Sequence, residues 1–546
     1  MLQLALSAAL AVSSGTTTDL VVHGGIVLTV DPERPIAEAF AIVGGRFVAV
    51  GESAEVLALA GPATRVIDLE GAVVVPGFID AHCHPAPVHP AGSRHHVVDA
   101  GPESVADIPA LIERLRVQAA ATLAGEWVQG RGYRDHELGR HLTREDLDEV
   151  STEHPVAVGH SSGHLTVFNS YALERARIDR DTPDPPGGAF VRDAAGRPTG
   201  RCEENARSVV YVRNVARPVA NEADEVVGLM RCFDAYLAKG ITMVGHAGCS
   251  SDELRRYRRA HAEGLRMRVY AMTSVSSIER LAESGIEAPF GDEWLSLGGI
   301  KFFHGNSLSG RTCWLHEPYA DRPDYFGLPP ARSQEDLNAL VLRVQRAGLQ
   351  CAIHANGDRE IDMVLDALAA AQEAHPRRGA RHRIEHGSVV NERILARMKA
   401  LEVVYVPHSY VYEHGATMEA YGAHRWPWMH ANRSALELGI PVAGNSDSPV
   451  SAAHPLLRLQ SLCTRRARNG KVYGAEQRLS FEQALGTFTL GAAFACFAEG
   501  RVGSIARGKL ADFVILDRDP RAVAPETLGA VEVRETWIQG QREWPR

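Results

Sequence analysis

The chain has 546 residues, 45% of them hydrophobic and 23% charged, with a formal net charge of −9. That length exceeds one small core and predicts two or three domains in a globular protein. The mild charge, with no Lys/Arg run on an apolar background, excludes nucleic acid and membrane surfaces as expected partners. A small-molecule substrate is expected instead.

Lysine is scarce: only Lys239, Lys301, Lys399, Lys471 and Lys509 stand among 58 basic residues. A lysine kept at a strand end in such a chain points to a need for a primary amine, which guanidinium does not supply. The eight cysteines form no C-x-x-C pair. Neither a disulfide framework nor a cysteine zinc site is expected, and reduced thiols suit a cytoplasmic enzyme.

Taken in chain order, residues 1–17 are an apolar leader or tail. "MLQLALSAALAVSSG" has the texture of a signal's apolar region without its basic start, so export is the alternative to a cytoplasmic location. Residues 18–72 read as short strands and turns ("DLVVHGGIVLTVD", "RVIDLEGAVVVPG"). Residues 499–546 have the same texture, and the two pieces are expected to form one small composite β-sandwich.

Between them, residues 73–84 and 240–498 alternate apolar β runs with helical segments. Eight strands are expected: Val73–Ala81, Ile241–His246, Met267–Thr273, Leu295–Phe303, Gln350–His354, His382–His386, Val403–His408 and Pro441–Asn445. Eight βα units predict an α/β fold of the (β/α)8 TIM type, with its active site at the strands' C-terminal ends. Residues 85–239 are far longer than a βα link and predict an inserted subdomain over the barrel mouth, shaping substrate access.

The strand ends carry the chemistry. His82 and His84, in "GFIDAHCHP", share one face of a strand, and Cys83 points the other way. Lys301 lies in "GGIKFFHG", His354 in "CAIHANGD", His386 ends "HRIEHG", and Asp447 follows "PVAGN". Six such residues at the ends of five predicted strands converge on one rim. Imidazole and carboxylate suit Zn²⁺ or a similar divalent ion. A carbamate formed on Lys301 by carbon dioxide would offer oxygens to two ions, which arginine cannot do. The expected centre therefore has two zinc ions on His82, His84, Lys301, His354 and His386, with Asp447 as general acid and base. His408, ending strand seven, is a candidate substrate contact, and a rim histidine like His246 is its structural counterpart.

These motifs resemble the amidohydrolase superfamily and, more closely, amidohydrolase family 3 of the YtcJ-like type. "VVPGFIDAHCH", "GGIKFF", "AIHANGD", "RIEHG" and "NSDSPV" match its barrel motifs. "GHLTVFNSYAL" and "WVQGRGYRD" match runs inside its insertion. The resemblance implies a metal-dependent hydrolase of carbon–nitrogen bonds other than peptide bonds, acting on an amide, N-formyl or cyclic amide group. A deaminase of a heterocyclic amine, or a catalytically silent regulatory homologue, is the alternative. A homodimer is expected. The resemblance also marks His164 and Tyr133 as substrate contacts. At His304, where Asp-Gly is usual after the lysine, and at Tyr133, where Trp is usual, the chain departs from the pattern, so both are expected near the substrate.

Overall fold

The computed structural model describes residues 18–216 and 220–546; the apolar leader, residues 1–17, lies outside them. The fold is α/β, built around seven parallel strands. In sheet order these are Phe78–Cys83, Ile241–Cys249, Arg268–Ser274, Leu295–Phe303, Gln350–Ala355, Arg383–His386 and Val404–Pro407; they are strands one to seven below. Helices cover their outer faces, so the strands are buried on both sides and read as near-continuous apolar runs. Ile79, Ala81, Met243, Met272, Ala352 and Val404 pack together in one cluster of the core.

The sheet is nearly closed into a barrel. The expected eighth strand, Pro441–Asn445, makes only an isolated bridge, Tyr405 with Val442. Pro441 has no N–H to donate, and the Gly444 N–H goes to the Thr487 carbonyl at 2.8 Å. The segment still spans the gap: Ala443 donates to Tyr405 of strand seven at 2.9 Å, and Ala81 of strand one donates to Gly444 at 3.1 Å.

The expected first strand, Val73–Ala81, is two strands. Val73–Pro76 pairs with Ile26–Leu28 and Phe513–Leu516 in a different sheet, and strand one begins at Phe78. Gly77 marks the transfer, because a Cβ there would sit 2.3 Å from Thr242 Oγ1. The two sheets made from the chain ends share a cluster that includes Val22, Phe40, Phe47, Val74, Phe513 and Trp537.

Between strands one and two the chain builds a separate six-stranded sheet, in the order Gly188–Arg192, Pro198–Glu204, Leu165–Phe168, Val156–His160, Val128–Tyr133, Val98–Asp99. The helix Glu222–Leu237 then returns to the barrel. Its N-cap Asn221 accepts from the Asp224 N–H at 2.9 Å, and acidic residues fill its first turn, both favourable at a helix N-terminus. It buries Leu229, Phe233 and Leu237 against Ile241 and Val244, each apolar side chain contributing about 1.5–3 kcal/mol. All eight cysteines are free, and Cys83 lies in this same cluster. Among the described residues no helix is long and apolar enough to cross a membrane.

Candidate metal centre and active site

The strand ends meet at the floor of a cavity of about 1120 Å³, lined there by His84, Lys301, His354, His386 and Asp447. Two sets of three donors lie within ligating reach of one another: His82, His84 and Asp447, and His386, His408 and Asp447. Asp447 belongs to both. Its Oδ1 is 3.4 Å from His82 Nε2 and 3.2 Å from His84 Nε2, and its Oδ2 is 3.9 Å from His408 Nδ1. The donors are nitrogen and oxygen only, and the buried Nδ1 atoms of His386 and His408 have no hydrogen-bond partner among the described residues. Imidazoles left orphaned beside a buried carboxylate fit a divalent ion.

Burial sets the protonation states in favour of metal ligation. It pushes His82 down to about 4, helped by the charge of Lys301. Burial pushes His354, His386 and His408 well below the usual imidazole range, and the crowding of imidazoles that cannot all carry charge together lowers them further. Neutral imidazoles are the ligating form. Burial alone would raise Asp447, but His84, His82 and Lys301 outweigh it, so the carboxylate stays ionised. Lys301 Nζ is 3.5 Å from His82 Nε2, and burial lowers it to about 8. An appreciable unprotonated fraction at neutral pH is the state that can react with carbon dioxide.

Backbone conformation shapes the rim. His386 has φ of 74° and Asp447 of 52°, left-handed values that cost a residue with a side chain free energy and cluster at functional sites. At His386 this breaks the alternation of strand six, so that Glu385 and His386, adjacent in sequence, both reach the centre. Asp80 ties strand one to the segment carrying Asp447: its Oδ1 accepts from the Ser446 N–H at 3.0 Å and its other oxygen from the Ser446 hydroxyl.

Three supporting residues are not evident from the strand-end reading. His82 Nδ1 lies 2.5 Å from Glu385 Oε2, and Glu385 accepts from Arg383 at 2.6 and 2.9 Å. Burial would raise Glu385, but Arg383 and His82 hold it down to about 2. The carboxylate fixes the His82 tautomer and leaves Nε2 toward the rim. Arg383 also donates to the Ala81 carbonyl at 2.9 Å. His354 is oriented similarly, its Nε2 donating to the Asn306 carbonyl at 2.9 Å. The available sequence signal was the presence of two charged residues, Arg383 and Glu385, inside a strand whose neighbours are all buried. Glu385→Gln is expected to weaken metal binding about 10–100-fold, read by competition with a chelator. Unchanged affinity would reduce Glu385 to a counter-ion for Arg383.

The candidate substrate contacts divide. His164 and His304 line the cavity. His304 is 2% exposed, and neither of its ring nitrogens has a partner among the described residues. His408 lies deeper, stacked between His386 (4.0 Å between ring centroids) and Tyr410 (3.8 Å). Tyr133 is not on the cavity wall. Its ring is fully buried among Leu111, Leu142 and Val158, and its hydroxyl meets His141 Nδ1 at 3.2 Å. The reason is a register shift between Arg131 and Tyr133, with Gly132 at φ 95°. The extra residue changes the parity of the strand; Arg131 and Gly132 line the cavity and Tyr133 turns inward. His246 is satisfied by the Tyr257 hydroxyl at 2.8 Å.

Residues 65–542 match the model of the amidohydrolase family. The chain is 29% identical to the putative amidohydrolase YtcJ of Bacillus subtilis, over 95% of this chain and 98% of that one. It is 28% identical to the N-substituted formamide deformylase of Arthrobacter pascens, over 97% and 98%. Among solved structures, a metal-dependent hydrolase of Pyrococcus horikoshii superposes with a TM-score of 0.72 at 26% identity, covering 93% of this chain and 99% of that one. The family model spans most of the chain, from the edge of the first end sheet through the barrel: the chain belongs to the amidohydrolase family and is a metal-dependent hydrolase of the YtcJ-like type.

Proposed function

We propose that this enzyme cleaves a carbon–nitrogen bond of an amide, N-formyl or cyclic amide substrate at a two-zinc centre held by His82, His84, Lys301, His354 and His386. The observation that supports the reading is that His82, His84 and His386 stand in two donor sets that meet at Asp447, with Lys301 and His354 on the same cavity floor. The similarity to a formamide deformylase over nearly the whole chain supports the amide class. Bound divalent ions supply Lewis acidity and a water whose pKa is brought to about neutral. The chain's own residues do the rest. Glu385 and Asn306 orient the imidazoles, Lys301 contributes its carbamate oxygens, and Asp447 takes the proton from the attacking water and returns it to the departing nitrogen.

Residues 85–239 act as the substrate-access subdomain above the barrel (78–84 and 240–498), and residues 18–76 and 499–546 form the composite sandwich that buttresses it, Val73–Pro76 being one of its strands. Eight free cysteines suit a reducing, cytoplasmic setting.

Elemental analysis of the pure protein is expected to give two zinc ions per chain. Chelation is expected to abolish hydrolysis and lower Tm, because an ion that binds only the folded state stabilises it. A panel of amides and N-formyl amines, followed by amine and ammonia release, identifies the reaction. Ammonia from heterocyclic amines without amide cleavage would make the protein a deaminase, and no stoichiometric metal would overturn the centre itself.

A further inference from the structure

The inserted sheet carries a second group of reactive side chains on the cavity wall, apart from the metal ligands. Strand Val156–His160 ends in the turn "HSSG", His160–Gly163, where Gly163 has φ of 72° and its N–H returns to the His160 carbonyl at 3.0 Å. The turn brings Ser162 back to the His160 ring, and both residues line the cavity. Ser162 Oγ lies 2.9 Å from His160 Nδ1, and His160 Nε2 lies 3.2 Å from Asp135 Oδ1. Asp135 opens the short helix Asp135–Leu138 after the neighbouring parallel strand, Val128–Tyr133. The His160 ring packs on the buried Tyr133 ring, with 5.0 Å between centroids, so the bulge that turned Tyr133 inward also seats this histidine.

Hydrogen bonding fixes the role of each group. The Ser162 N–H donates to His160 Nδ1 at 3.1 Å, so Nδ1 carries the lone pair and Nε2 carries the proton that Asp135 accepts. A doubly protonated ring would set two N–H groups against each other at Nδ1, so the turn holds the neutral form. The other oxygen of Asp135 lies 3.5 Å from His141 Nε2, which steadies the carboxylate. The Ser162 hydroxyl can then give its proton to Nδ1, while its oxygen accepts from the His164 N–H at 3.2 Å. A hydroxyl, a base within hydrogen-bond reach and a third group that orients the base are the parts of an activated nucleophile. We propose that Ser162, His160 and Asp135 form a second catalytic group in this cavity, a metal-independent acyl-transfer site for small carboxylic esters. This activity lies beyond the carbon–nitrogen hydrolase reading and does not depend on the metal centre.

In the first half of the reaction Ser162 Oγ bonds to the ester carbonyl carbon, and its proton passes to His160 Nδ1. The bond from that carbon to the alcohol oxygen then breaks, and the departing alcohol takes the proton from Nδ1. In the second half water adds to the acyl-serine, His160 again holds the proton, and the carboxylic acid leaves as Ser162 regains it. Arg131 and Arg207 line the same wall and supply positive charge for the carbonyl oxygen as it becomes negative.

Two covalent readouts test the assignment on the protein as isolated, because hydroxide on a metal leaves no adduct on a serine. The first uses a fluorophosphonate probe, whose phosphorus bonds to an activated serine oxygen as fluoride leaves. Fragment masses of the labelled peptide are expected to place one adduct on Ser162, and none when the protein is unfolded in urea beforehand. The second quenches turnover of p-nitrophenyl butyrate in acid, which is expected to trap a butyryl group on the same residue. Ser162→Ala should carry neither adduct. His160→Gln and Asp135→Asn should slow probe labelling by about 10²-fold or more, the size of a general-base contribution. Asp135→Asn keeps the shape of the side chain but can offer its own N–H to Nε2, which moves the ring proton to Nδ1 and removes the base. Failure of either adduct in wild type, an adduct on another residue, or unchanged labelling rates in both variants would overturn the proposal. The wild-type readouts need no substitution, so a variant that fails to fold does not prevent a decision.

Discussion

Lys301→Arg is expected to lose turnover by roughly 10²–10³-fold, the equivalent of the several kcal/mol that charge stabilisation at a metal supplies. Arginine keeps the positive charge at a slightly greater length, so a lysine acting only as a cation would tolerate the change. A carbamate would not, because guanidinium stays protonated and cannot capture carbon dioxide. The surroundings sharpen the contrast. Lys301 is 5% exposed, lies 4.7 Å from the centre of the Phe303 ring, and faces His82. Lys301→Ala should lose activity as well, and short carboxylic acids should restore part of it by supplying the missing oxygens. Metal content measured alongside separates lost ligation from lost chemistry. Near-normal turnover in Lys301→Arg would rule the carbamate out.

Asp447→Asn is expected to lower kcat by about 10²–10⁴-fold, the usual size of an acid–base contribution, while both ions stay bound. Asparagine suits the test because it tolerates the left-handed backbone seen at this position, φ 52°, and retains one oxygen donor. The amide cannot take up the proton of the attacking water. Since Asp447 stands within ligating reach of both donor sets, the measurement must include metal stoichiometry. Loss of metal in step with activity would make Asp447 a ligand first. An unchanged kcat would assign proton transfer to another group.

Several features of this protein were determined by its sequence alone. The alternation of apolar runs with helical segments specified a parallel sheet with crossover helices, because local periodicity is written directly in residue order. His82, Lys301, His354 and His386 were legible for the same reason. Each is a polar residue at or near the end of an apolar strand, and in such a barrel those ends share one rim.

Other features needed the tertiary structure, because they join residues hundreds of positions apart or depend on backbone geometry that composition does not encode. Glu385 became part of the site only when strand six was set across the barrel from His82. Tyr133 left the predicted substrate face because a single bulge at Gly132 reversed the parity of its strand. The eighth strand failed where a proline without an N–H and a glycine bonded to Thr487 interrupted its ladder. The Ser162–His160–Asp135 group exists only because two neighbouring strands of the inserted sheet end side by side, and no spacing in the sequence specifies that pairing. Periodicity therefore settled which face each regular element presents, whereas long-range packing and left-handed backbone at His386 and Asp447 decided which side chains meet.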